Sequence, residues 1–299
     1  MNTHLVSGKG LTNSVLASML FGLVPVYIQL TELTGNTLFW NRIIFSALCL
    51  ALVCYRMDRL QSFSAIFLCR KTVLMLSLGG LIVGFQWWLF VWGPVNNKTQ
   101  DLSLGYFLLP LTLALTGKLV FNERLNKAQY FAMGFASLGV LAMLWQQGSL
   151  PWVSLAIAGL YPVYFIIRKP LQVDTLPALL FEHLLFLPAS LFILMSDQSF
   201  IQNLTRSATL WYLLPGLGVL CSLSLICYIN ASRNLPVSLF GLLSYLEPAL
   251  IFVVAITALG EVFTAQQWFS YSFIWLATAI ICVDSARRLT QKIANQASR

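Results

Sequence analysis

Charge is what this chain has least of. Only 9% of its 299 residues are Asp, Glu, Lys or Arg, against roughly 25% in an ordinary soluble domain. Hydrophobic residues make up 58%, and the mean hydropathy is +0.78. That deficit excludes a water-soluble globule of ordinary composition. Catalytic signatures are missing as well: HExxH, the GxSxG elbow and a pair of intramembrane aspartates do not occur, so the parts of an intramembrane hydrolase are absent. The lack of GxxxxGK[ST] argues against direct ATP drive from this chain. The cysteines (Cys49, Cys54, Cys69, Cys221, Cys227 and Cys282) contain no CxxC pair, which argues against zinc and disulfides. They read as small apolar fillers in or beside spans, and no cofactor or metal is expected.

What fills the chain instead is a series of apolar runs. Each has the length, about 18 to 22 residues, that a helix needs to cross about 30 Å of hydrocarbon. They fall at 11–30, 38–55, 72–93, 102–121, 127–145, 151–168, 177–195, 209–230, 236–257 and 265–283. Runs so long and so uniformly apolar do not suit barrel strands, so the expected fold is an all-α membrane protein with ten transmembrane helices. The first run follows Lys9, exceeds a signal-peptide core and has no small-residue cleavage site, and is read as a membrane helix.

The net charge of +8 sorts by side of the membrane. With a cytoplasmic amino terminus, all 18 Lys and Arg fall inside except Lys98 and Arg206, outside, and Arg42, within a span. This positive-inside pattern predicts both termini in the cytoplasm, and nine or eleven spans would break it. The basic excess therefore reads as a topology signal and an attraction to an anionic leaflet, and nucleic acid is not an expected partner.

The sequence also repeats itself. Gly22-Leu23-Val24-Pro25-Val26-Tyr27 returns as Gly159-Leu160-Tyr161-Pro162-Val163-Tyr164, 137 positions on. Pro110, Glu123 and Gln129 return as Pro248, Glu261 and Gln267, 138 positions on. A unit with an odd number of spans enters the membrane in opposite senses in its two copies. The expected organisation is thus two inverted five-helix repeats, 1–147 and 148–299, the second with a basic cytoplasmic tail.

Ionisable side chains inside lipid need a reason. Glu247 lies about 16 Å into the ninth span, and Pro248 beside it is expected to open the helix. It reads either as a coupling or substrate-contacting group or as a protonated Glu bonded to a freed carbonyl; its counterpart is Leu109. Arg42 in span two aligns with His183 in span seven, and Asn41 with Glu182. Inversion would place Arg42 toward the outside and His183 toward the cytoplasm, each as a substrate-binding group or as a snorkelling or packing residue. Tyr27, Gln86, Tyr106, Tyr164, Tyr228, Asn230 and Tyr245, with Trp87 and Trp88, supply the remaining material for a binding cavity. Tyr27 and Tyr164 follow Pro25 and Pro162, where the first helix of each half is expected to be kinked or broken. Gly79, Gly80, Gly84, Gly216 and Gly218 are read as close-packing positions. Glu123 and Glu261 are expected to cap the start of the helix that follows each.

Several of these segments resemble one family. Ser103-Leu104-Gly105-Tyr106-Phe107 leading to Pro110, Glu123-Arg124-Leu125, Gly148-Ser149-Leu150-Pro151-Trp152, Arg168-Lys169, Glu182 and Leu187-Pro188 are similar to the RarD family of the drug/metabolite transporter superfamily. Glu247-Pro248 with Glu261 resembles the end of a second EamA-type repeat. The resemblance implies a ten-helix, multi-pass permease of the cell inner membrane with cytoplasmic termini, its cavity lined mainly by helices one, three, four, six, eight and nine. The function expected is a secondary transporter that exports a small metabolite or drug-like molecule by alternating access, with coupling through an ion gradient at Glu247. Its partners are then a small-molecule substrate and the bilayer. An intramembrane enzyme and a channel or non-transporting scaffold are the alternatives, the latter with flux that does not saturate or no flux at all.

Overall fold

The computed structural model describes residues 7–31, 33, 35–96, 98–148, 150–257 and 264–297. The expectation for Glu261 lies outside these. The chain is 87% helical, with no strand among the described residues. The helices are α1 (Gly8–Gln29), α2 (Gly35–Arg56), α3 (Leu60–Leu68), α4 (Arg70–Val95), α5 (Thr99–Leu119), α6 (Lys127–Gln147), α7 (Trp152–Arg168), α8 (Thr175–Ser196), α9 (Gln198–Arg206), α10 (Leu210–Asn234), α11 (Val237–Leu243), α12 (Leu246–Thr257) and α13 (Ala265–Ala297). Among the described residues, nine stretches are long and apolar enough to cross a membrane, one of them running through α11 into α12. The expected sixth span is α7, an apolar helix of only 17 residues.

Proline acts differently from the expectation. α1 and α7 pass through Pro25 and Pro162 as single helices, so neither is broken. Pro162 cannot donate to the carbonyl of Ala158, and the Thr112 hydroxyl takes that acceptor at 2.6 Å. The interruption comes in the ninth span, at Ser244 and Tyr245, between α11 and α12. There Glu247 N–H donates to the Ser244 carbonyl at 3.3 Å, the acceptor that Pro248 leaves without its own donor. Restarting the helix at Leu246 puts Pro248 in a first turn, where a missing N–H costs nothing.

Two compact units divide the chain, and each draws on both sequence halves. The first takes residues 1–22, 99–162 and 227–299. In it α5 packs on α11, and α6 packs on α13. Gly241 lies against the α5 backbone at Pro110 and Ala114, where a Cβ would not fit. Tyr245 donates its hydroxyl to the Phe107 carbonyl at 2.9 Å. Capping boxes open both outer helices: Asn126 with Gln129 at α6, and Thr264 with Gln267 at α13. The repeated glutamines therefore do the same work in both copies.

The second unit takes residues 23–98 and 163–226. Its hub is α8, which packs against α2, α4, α3 and α9. Gly84 faces the Phe186 ring, Gly216 the Tyr27 hydroxyl and Gly218 the Phe45 backbone, so these glycines serve close approach. Short helices α3 and α9 occupy the two longest polar connections; Asp197 caps α9 by accepting from Phe200 N–H at 3.1 Å.

Candidate functional site

The polar side chains of the second unit gather on α8, whose neighbouring residues Glu182 and His183 point to different partners. Toward α2 and α4, the Trp87 ring lies 5.0 Å from the Arg42 guanidinium and 5.0 Å from the His183 ring. Phe39 holds the guanidinium from another side at 5.5 Å. His183 Nδ1 is 2.8 Å from the Leu179 carbonyl, and the Cys221 thiol lies beside Arg42. This corrects the expectation that Arg42 and His183 sit near opposite faces: one indole touches both. The aromatic environment accounts for it, since cation–π contact stabilises a desolvated guanidinium that snorkelling would otherwise have to carry to water. Gln86 is fully buried beside Trp87.

Toward α7, the fully buried Glu182 carboxylate meets Arg168 and Tyr164. Arg168 Nε is 3.6 Å from Glu182 Oε1, and the Tyr164 hydroxyl is 3.3 Å from each carboxylate oxygen. The Arg168 side chain is 3% exposed, and none of its three guanidinium nitrogens makes a hydrogen bond. Gly79 lies against the Tyr164 ring, and Gly80 lets α4 approach Leu185, with Glu182 beside it.

The first unit holds the other predicted residues. Tyr106, Tyr228 and Asn230 are half-buried. Tyr228 packs edge-on against Phe21 at 6.0 Å and Phe240 at 4.7 Å. Tyr245 is buried on Phe107. Glu247 is half-buried in the first turn of α12. Tyr27, in the second unit, is half-buried against Gly216. Two surface grooves of about 400 and 380 Å³ run along α13 at Val283 and Arg287, away from all of these.

Two further expectations are corrected. Glu123 does not cap α6, which Asn126 caps; its carboxylate accepts from Val237 N–H, Ser238 N–H and the Ser238 hydroxyl, each at 2.7 Å, at the start of α11. Cys69 is exposed, not an apolar filler, because it lies at the α3–α4 junction outside both helices.

No protein-family model matches the chain. Chloramphenicol-sensitive protein RarD of Pseudomonas aeruginosa is 38% identical over 295 residues, covering 96% of this chain and 98% of its own. The chain belongs to the RarD family of the drug/metabolite transporter superfamily. Protein RarD of Salmonella typhi is 30% identical over 280 residues, covering 93% and 95%. A Haemophilus influenzae relative described as an uncharacterized transporter is 32% identical over 284 residues, covering 92% and 94%. A solved crystal structure superposes with a TM-score of 0.71 over 93% of this chain and 98% of its own, at 14% identity, a likeness in fold alone. Membership of the RarD family and the apolar helices together make this a multi-pass membrane protein of a transporter family.

Sequence reasoning missed Arg168 and Glu182 as members of the site. Arg168 ends a span and was counted among the cations that set topology, while Glu182 entered only as a neighbour in an alignment. The available signal was Glu182 itself, a carboxylate two turns inside a span, which requires a nearby partner.

Proposed function

We propose that this RarD-family protein is a secondary transporter that exports a small metabolite or drug-like molecule across the inner membrane by alternating access. Ten spans form two inverted five-helix repeats, with both termini cytoplasmic, and no enzymatic step is involved. The observation that carries this reading is the polar cluster of half-buried Arg42 with buried Trp87, His183, Glu182, Tyr164 and Arg168. It is set among apolar helices, where ionisable groups are costly and therefore mark a functional site. The Haemophilus influenzae relative, described as an uncharacterized transporter, favours the same class. The repeat is supported by the duplicated capping boxes and by the contact of Phe107 with Tyr245, which stand 138 residues apart, the spacing of the duplication itself.

The cavity residues are then Tyr27, Arg42, Gln86, Tyr106, Tyr164, His183, Tyr228, Asn230 and Tyr245, with Glu247 as the proton-coupling carboxylate. The test is uptake into sealed proteoliposomes over a broad metabolite panel, with and without a pH gradient. Saturable, gradient-driven flux is the expected result. Glu247→Gln should fold and should lose the dependence on the pH gradient; unchanged dependence removes Glu247 from coupling. Protein that exchanges nothing across the membrane overturns the transporter reading, and flux that does not saturate points to a channel.

A further inference from the structure

We propose that Arg168 is the recognition group for an anionic substrate, one that carries a carboxylate or a phosphate, and that Glu182 takes the anion's place when no substrate is bound. The inference deepens the transporter reading and rests on it for the word substrate, though not for the binding itself.

The argument starts from unused donors. An arginine offers five N–H groups in a planar fork that matches two oxygens of a carboxylate or phosphate. Arg168 is buried, yet Glu182 approaches only its Nε, at 3.6 Å, beyond hydrogen-bond length, and all three nitrogens remain without a hydrogen bond. Glu182 instead shares the Tyr164 hydroxyl between its two oxygens. The pair neutralises charge without satisfying the fork, which is the condition of a guanidinium held ready for a better acceptor. Charge balance points the same way. The second unit buries Glu182 with Arg168 and sets a second, half-buried guanidinium, that of Arg42, at the same α8 hub, and an added anion completes that balance.

An anion that displaces Glu182 leaves a carboxylate without its cation, so Glu182 takes up one proton as the anion binds, and no other bond forms or breaks. The groups around it are few. From α7 come Tyr164 and Arg168; on α8, His183 turns to Arg42 of α2 and Trp87 of α4. α4 presents Gly80, and α3 presents Phe63 and Ile66, none of which titrates. The charged pair Arg59 and Asp174 stands exposed ahead of α8, and Asp197 caps α9 beyond its far end.

The test is thermal stabilisation of the purified full chain in detergent by matched probes: benzoate against benzamide, nicotinate against nicotinamide, and inorganic phosphate. At least one anion should stabilise the wild type and neither amide should; the carboxylate and phosphate arms tell the two chemistries apart. Arg168→Gln should weaken anion binding ~10-fold or more, whereas Glu182→Gln, which removes the competitor, should strengthen it. A purely structural pair would not give opposite signs. Because Glu182→Gln leaves a buried cation unpaired, the neutral double variant Arg168→Gln/Glu182→Gln supplies a second folded background, which should bind no probe. If Glu182→Gln does not fold, wild-type affinity for benzoate that rises as the pH is lowered reads the same displacement. Amides that stabilise as well as acids, the absence of any anion effect, an effect that survives Arg168→Gln, or weaker binding in Glu182→Gln would each overturn the proposal. Binding that follows these rules in a protein without flux would leave the anion site standing and sink the transporter reading alone.

Discussion

Glu123 gives the most direct test of how the first unit is held together. Its carboxylate follows α5, four residues past Leu119, and accepts three hydrogen bonds of 2.7 Å from the first residues of α11, two from backbone N–H groups and one from the Ser238 hydroxyl. Replacing it by glutamine keeps the shape but substitutes one acceptor oxygen with an NH₂ group. The Ser238 hydroxyl can rotate to accept, but one backbone N–H is left facing a donor in a buried site. Leaving such a group unsatisfied costs about 1–3 kcal/mol, and the lost charge at a helix start adds about 0.3–1 kcal/mol. Glu123→Gln should therefore destabilise the protein by about 1.3–4 kcal/mol, and Glu123→Ala by about 3–5 kcal/mol. Ser238→Ala removes only the hydroxyl bond and should cost about 1 kcal/mol. The assay is equilibrium unfolding in mixed micelles, with helicity as the signal and the slope compared between variants. The double variant Glu123→Gln/Ser238→Ala should cost less than the sum of its parts by at least ~0.5 kcal/mol, because the two share a bond. Glu123→Gln within ~0.5 kcal/mol of wild type, or equal to Ser238→Ala, would refute the account of Glu123 as the clamp between α5 and α11.

Further predictions use the other unit. Gly84→Ala drives a methyl into the Phe186 ring and should cost about 1–3 kcal/mol, while Gly134→Ala, with nothing near its added Cβ, should be neutral or stabilising in the same unfolding assay. Asp197 is held below the ordinary carboxylate range, first by the Ser199 hydroxyl and then by Phe200 N–H. Since a depressed folded value means stability that is full above the unfolded pKa and lost as pH falls through the folded one, Asp197→Asn should flatten the acid limb of a stability profile. The Cys69 thiol lies below its ordinary value through hydrogen bonds with Thr72 and is exposed, so it should be the first cysteine to react with a membrane-impermeant maleimide. Labelling should occur in inside-out vesicles and slow in Thr72→Ala; labelling from the outer face would invert the topology.

Most expected spans and observed helices coincide to within a few residues because lipid imposes composition directly: a segment without water must be apolar and must close its hydrogen bonds within itself; the ninth span divides into α11 and α12, and α13 runs on past the expected end at 283 to Ala297. α3 and α9 escaped because each has only nine residues and lies in a polar connection, where no such constraint writes a signature. Glu123 was legible as a carboxylate at a span end, but its partner lies 114 residues away, and only folding reveals it. Arg42 and His183 were legible singly; their meeting on Trp87 depends on how α2, α4 and α8 are rotated about their axes, which an apolar run of any sequence leaves open.

Where the two copies of the repeat differ is more informative than where they agree. Phe107 and Tyr245 occupy matching positions and touch, and since only the tyrosine has a hydroxyl, the bond can form in one direction only. Two residues further on, Leu109 matches Glu247, and in the second unit Asn41 matches Glu182 while Arg42 matches His183. Asn41 spends its amide on the Thr37 carbonyl one turn back, whereas Glu182 reaches across to Tyr164. The backbone follows the same divergence: α5 runs intact through Pro110, but the matching span divides into α11 and α12 ahead of Pro248, and Glu247 thereby enters the first turn of a new helix, where a negative charge is stabilised. The two sequence halves thus share a frame of caps and packing contacts, while Glu182 and Glu247 both lie in the second half, against Asn41 and Leu109 in the first.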